Sequence, residues 1–119
     1  MTASARSLEL TQIAAKAAHN KLGENIVALD VSGIFPLADV FLFVSSRNER
    51  QTPAISDEVA DQLLLAGVKL QRMEGKAAGR WILQDFGDII VHVMHEEERM
   101  FYSVERLWKD AVPIQLELD

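Results

Sequence analysis

A single α/β domain of five strands and three helices is what this sequence predicts, on three observations. Its 119 residues fill one domain of the usual ~100–150 residues and leave no room for a second. Apolar residues recur at three- and four-residue spacing in three separated stretches, which is helical periodicity, and between those stretches lie short β-branched or aromatic runs and one hairpin pattern. A composition of 49% apolar and 25% charged residues is that of a globular chain able to bury about two-thirds of its surface without disulfides or metals.

The first helix is predicted over residues 7–22, where Leu10, Ile13, Ala14, Ala17 and Ala18 share one face and Gly23 stands where a helix stops. Residues 26–31 and 40–44 are nearly continuous apolar runs separated by a turn-like stretch with Gly33 and Pro36. Their length and composition predict strands buried on both faces. Ile55, Val59, Leu63 and Ala66 mark a second helix closed by Gly67. Thr52 fits its N-cap and Pro53 its first helical position, where the missing N–H costs nothing, which makes residues 47–51 a loop or distorted first turn. Residues 68–73 alternate weakly, as an edge strand would, and Gly75 and Gly79 flank the polar connection Lys76-Ala77-Ala78.

Residues 80–86 and 88–95 form the clearest β signal. With Phe86-Gly87 as a two-residue turn, Asp85 would pair with Asp88, Leu83 with Ile90 and Trp81 with His92. Those six share a mixed face with Met94, while Ile82, Gln84, Phe86, Ile89, Val91 and Val93 form the covered face. A third helix follows, with Glu96, Glu97 and Glu98 at its dipole-favoured start, the stripe Met100, Phe101, Val104, Leu107, Trp108 and Ala111, and Lys109 near its end. The alternating tail 112–118 suits a sheet edge or a second subunit.

Several functions are disfavoured at this level. A net charge of −6 argues against broad phosphate neutralisation and for a basic protein partner. The absence of cysteine removes thiolate catalysis and Cys-based metal sites. No apolar run reaches the ~18 residues of a membrane span, and no secretory signal is readable, so a cytoplasmic chain is expected. His92 and His95, three apart on one strand, point to opposite faces and cannot share an ion. Asp85 and Asp88 could hold Mg²⁺ for nucleotide transfer, but Asp and Gly are also what turns prefer, and no phosphate loop accompanies them. Ser45 and Ser46 have no histidine at an informative spacing, and capping explains them better than catalysis. His19 fits a polar position on the first helix. Trp81 stands apart: an indole on the mixed face marks a protein interface unless the last helix covers it.

Ile26-Val27-Ala28-Leu29-Asp30-Val31-Ser32 and Ala38-Asp39-Val40-Phe41-Leu42-Phe43-Val44-Ser45 are followed by Asn48-Glu49-Arg50-Gln51 and Ala54-Ile55-Ser56-Asp57-Glu58-Val59. Then come Glu74-Gly75, Gly79-Arg80-Trp81-Ile82-Leu83-Gln84-Asp85-Phe86-Gly87-Asp88-Ile89-Ile90-Val91-His92-Val93, Arg99-Met100-Phe101-Tyr102 and Val104-Glu105-Arg106-Leu107-Trp108-Lys109-Asp110-Ala111. In this order, over about residues 7–111, these segments resemble the ribosome silencing factor family, also called the Iojap-related family. Two departures are Ser46, where many relatives carry glycine, and Thr52-Pro53 at the start of the second helix.

The resemblance implies a single-domain α/β fold, here a mixed five-stranded sheet flanked by helices, nucleotidyltransferase-like, in a homodimer. It implies binding to large-subunit ribosomal protein fourteen and steric exclusion of the small subunit, so that translation falls when nutrients are scarce. The family's tryptophan, aspartates and histidine match Trp81, Asp85, Asp88 and His92, on the mixed face that the hairpin pattern gives independently. With Leu83 of that face and the flanking Arg80 they form the expected partner-binding set, and no catalytic residue, metal, cofactor, direct nucleic-acid specificity or membrane contact is expected. The competing class is a nucleotidyltransferase-like, nucleotide-binding enzyme using Asp85 and Asp88. It lacks the Gly-Ser turn and alternating acids that such enzymes carry, and fold alone does not confer the activity. A third reading, an adaptor for another large-subunit assembly factor, needs the same docking face.

Overall fold

The structure, a computed structural model, describes residues 2–102, 106 and 108–118. Its elements are α1 (Ala5–Asn20), β1 (Glu24–Asp30), β2 (Val40–Ser46), α2 (Gln51–Leu65), β3 (Arg72–Glu74), β4 (Trp81–Asp85), β5 (Ile89–His95), α3 (Glu96–Tyr102) and β6 (Val112–Ile114). One six-stranded mixed sheet runs in the order β3-β4-β5-β2-β1-β6. Only β2 and β5 are parallel, with Val40 opposite Ile89 and Ser46 opposite His95; the other pairs are antiparallel. The parallel pair is the sheet's centre, and β2 is buried along its whole length, as a strand covered on both faces must be.

The two faces of the sheet follow the two-residue period of its strands. Ala28, Val40, Leu42, Val44, Ile82, Ile89, Val91 and Val93 meet Leu10, Ala14, Ala18, Ile55, Val59 and Leu63 of α1 and α2 in the main core. Fully burying a side chain such as Leu63 stabilises the fold by about 1.5–3 kcal/mol. Leu29, Val31, Phe41, Phe43 and Met94 form a second cluster on the opposite face, against Phe35, Trp81, Trp108 and Ala111. Ser4 caps α1 by accepting from the Ser7 amide. Asp30 and Asp39 accept from the Ala3 and Ser4 amides at 2.8 and 3.0 Å and fix the start of the helix on the β1–β2 connection.

Five expectations need correction. The sheet has six strands, because the tail's alternation is realised as β6 on the free edge of β1, where Ile114, Leu116 and Leu118 reach the main core. Gln12 holds the tail by bonding the Gln115 carbonyl and the Glu117 amide. Between the two neighbours β2 and β6, β1 is only partly covered, with Ile26 and Val27 half-buried. The strand expected over 68–73 is confined to β3, at the sheet's edge.

The second helix begins at Gln51, with Arg50 as its N-cap, so Pro53 is its third residue. The first four amides of a helix have no intrahelical acceptor, so proline is as harmless there as at the first position. Thr52 is buried inside the first turn, sharing a 2.6 Å hydrogen bond with Ser46. The third helix is described over Glu96–Tyr102; Val104 and Leu107 of the expected stripe lie outside the described residues, and Trp108 and Lys109 stand in a turn.

Candidate functional site

The hairpin places its two faces as the sequence indicates, but its register is shifted by two residues. Asp85 pairs with Ile90, Leu83 with His92 and Trp81 with Met94. The turn is Gly87-Asp88, not Phe86-Gly87, and the Phe86 amide bonds the Ile89 carbonyl at 3.0 Å. Gly87 has φ +91°, a conformation open to glycine and strained for phenylalanine, so the glycine must lead the turn. An even shift preserves the faces: Ile82, Gln84, Phe86, Ile89, Val91 and Val93 are all buried. It takes Asp88 off the mixed face into the exposed turn, so Asp88 does not lie opposite Asp85, as a shared Mg²⁺ would favour. The Asp85 carboxylate instead accepts from the Gly87 amide at 2.8 Å, an Asx turn.

The remaining mixed-face residues converge near the start of β4. Trp81 is half-buried and donates from Nε1 to Nδ1 of His92 at 3.2 Å. That bond makes Nδ1 the acceptor and leaves the proton on Nε2, which is buried with no hydrogen-bond partner among the described residues. The imidazole stacks on Phe43 at 4.8 Å and meets Phe41 edge-on at 5.5 Å. Burial pushes its pKa down to about 4, because the imidazolium would lose its hydration among aromatic rings. His92 is therefore neutral at physiological pH and orients the indole. Leu83 is the next half-buried apolar residue along the strand, and Asp85 ends the face about 13 Å from Trp81 at the usual rise per residue.

Arg80, immediately before the strand, is engaged by three carboxylates. Its guanidinium donates to Glu98 at 2.7 and 3.1 Å, to Glu97 at 3.1 Å and to Glu49 at 3.3 Å. Hydrogen bonds to Glu98 and then Glu97 raise its pKa above the ordinary arginine range. The close approach of Glu49 depends on Gly79, at φ +66°, where an added Cβ would lie 2.7 Å from the Glu49 carbonyl oxygen. The rim beside Trp81 thus carries the carboxylates of Glu49, Glu97 and Glu98 against one guanidinium, with exposed Glu96 next to them. In the sequence the three consecutive glutamates suggest only a helix start; their convergence with Glu49 on Arg80 is a product of the fold.

Phe41, Phe43 and Met94, which hold the site from below, carry no signal in the sequence beyond strand patterning. Ser45 accepts from Arg99 Nη1 at 3.0 Å, and Ser46 braces Thr52, so both serines have structural hydrogen bonds. His92 and His95 lie on opposite faces of β5, and His95 accepts from the Glu97 amide at 3.1 Å. Among the described residues no three His, Asp or Glu side chains are grouped so as to hold a metal ion. No helix among them is long and apolar enough to cross a membrane. What the arrangement offers is a half-buried, oriented indole flanked by acidic side chains, a geometry suited to recognition.

Residues 4–119 match the family described as "Ribosomal silencing factor during starvation". A ribosomal silencing factor of Bacillus subtilis is 43% identical over 102 residues, covering 86% of each chain. That of Halalkalibacterium halodurans is 41% identical over 109 residues, covering 92% of this chain and 93% of the relative. A crystal structure of a protein from Chromobacterium violaceum superimposes with a TM-score of 0.82 at 34% identity, covering 85% of this chain and 84% of that one. Fold, sequence and extent of match agree, and the chain belongs to the ribosomal silencing factor family.

Proposed function

We propose that this protein represses translation by docking its β4–β5 face on large-subunit ribosomal protein fourteen and excluding the small subunit. The observation that carries the reading is Trp81, a half-buried indole fixed by His92 at an acidic rim. Such an indole supplies contact area at little entropic cost, while the rim attracts a basic protein and repels wrong partners. Leu83 and Asp85 extend the contact along the strand, and Arg80 shapes its edge by holding Glu49, Glu97 and Glu98 in place. Asp88 contributes from the turn at the far end. A standard interface buries about 800 Å² per partner, so the docking reading requires the sheet face, its acidic rim and the adjoining loop to act together.

The action is steric, so no bond is made or broken and no cofactor is required. A homodimer acting in the cytoplasm when nutrients are scarce completes the proposal. The test is subunit joining followed by sucrose-gradient sedimentation. Wild-type protein lowers the yield of joined ribosomes, and Trp81→Glu and Leu83→Glu do not, with thermal melts showing that both variants fold. Undiminished joining in the presence of saturating wild-type protein would refute the mechanism.

A further inference from the structure

A second surface lies next to the acidic rim, at the end of the sheet where β2 runs into α2. There a cleft of about 650 Å³ opens between the C-terminal turn of α1, the start of β1 and the loop leading into α2. Lys21, Arg47 and Arg50 line it, with Glu24 as its one carboxylate. Arg47 and Glu24 pair at 2.7 Å, which leaves Lys21 and Arg50, both exposed, as charges that no carboxylate among the described residues balances. In a chain of net charge −6 the cleft lining carries three cations against Glu24, with the Glu96 carboxylate acting on Arg47 from outside that lining.

The cleft is built and held. Gln51 donates to the Lys21 and Leu22 carbonyls at 3.2 and 3.0 Å and accepts from the Arg47 amide at 2.8 Å, tying α1 to the loop after β2. Asn48 in turn accepts from the Gln51 amide at 2.8 Å. These bonds account for Asn48 and Gln51 of the segment Asn48-Glu49-Arg50-Gln51, of which the docking face uses only Glu49. Leu22, 76% exposed and at φ +66°, stands in the cleft wall.

We propose that this cleft holds the phosphodiester backbone of ribosomal RNA, with Lys21 and Arg50 each facing a phosphate. The inference rests on the ribosome-docking reading and extends it: Glu49 belongs to the acidic rim and Arg50 to the cleft, so the two surfaces are continuous. An acidic, aromatic face beside a basic cleft matches a particle whose surface alternates basic protein with RNA. The contact is sequence-independent, since phosphates carry no base information.

The test measures the affinity of wild type and Lys21→Gln/Arg50→Gln for isolated large subunits, and for protein-free RNA extracted from them, as salt is raised. Removing two cations that each neutralise a phosphate makes the log–log salt slope shallower by about 1.5, so that from about 50 to about 200 mM salt the wild-type affinity falls about tenfold further than that of the variant. That result on large subunits supports the proposal. Equal affinities and slopes for the two proteins overturn it and leave docking through Trp81 standing. Wild-type protein that binds the free RNA in a variant-sensitive way but not the subunits retains the cleft and refutes the docking face. Binding to neither refutes both.

Discussion

Replacing His92 with phenylalanine separates the charge of this side chain from its bulk. In the folded protein the pKa of His92 is pushed down to about 4 from the ordinary 6.5 by burial. Between those two values the unfolded chain binds a proton that the folded chain does not. The stability associated with the neutral imidazole is therefore complete above about pH 6.5 and is lost as pH falls toward 4. Integrated from about pH 7 to about pH 5, the loss is about 2 kcal/mol, and about 3 kcal/mol over the whole interval.

Phenylalanine keeps a ring against Phe43 and carries no proton. It gives up the bond to Trp81, worth about 1 kcal/mol, and also removes the buried Nε2–H that no acceptor among the described residues satisfies, whose burial costs about 1–3 kcal/mol. Near pH 7 the variant is thus about as stable as wild type, and near pH 5 it is more stable by about 2 kcal/mol. Urea unfolding of both proteins at the two pH values measures this, and carboxylate titrations common to both cancel in the difference. Equal losses of stability in wild type and variant would refute the reasoning.

Two further predictions concern the acidic rim and the far edge of the sheet. Gly79→Ala places a Cβ 2.7 Å from the Glu49 carbonyl oxygen at a positive φ, so it destabilises by about 1–3 kcal/mol in chemical denaturation and displaces Glu49 from Arg80. Ending the chain at Ala111 removes β6 and the packing of Ile114, Leu116 and Leu118 on the main core. The thermal midpoint falls, and light scattering rises on heating because the edge of β1 is bared for pairing between chains.

Much of this architecture was legible in the sequence because strand and helix periods are local. The alternation of Ile82, Gln84, Ile89, Val91 and Val93 specified the covered face of the hairpin even though its register was not specified. Register depended on whether Phe86 or Gly87 led the turn, a matter of one positive φ. Pro53 indicated a helix start but not whether it stood first or third, since neither position requires its N–H. The tail's alternation could serve a sheet edge or a second subunit, and only the free edge of β1 decides between them.

At the candidate site, Trp81, Leu83, Asp85 and His92 fell on one face by parity alone, while Asp88 did not survive the shift in register. The carboxylates around Arg80 come from Glu49 and from residues 97 and 98, and the cations of the basic cleft from residues 21, 47 and 50. Those groups are brought together by strand pairing over long sequence separations, which no local pattern reveals.

The most direct measurement is co-sedimentation of wild type and Trp81→Glu with isolated large subunits, isolated small subunits and joined ribosomes, with Leu83→Glu as a second probe of the same face. The account predicts that wild type travels with large subunits alone, and that both substitutions abolish this while their melting curves remain cooperative. Wild-type binding to small subunits, or retention of either folded variant on large subunits, would contradict it.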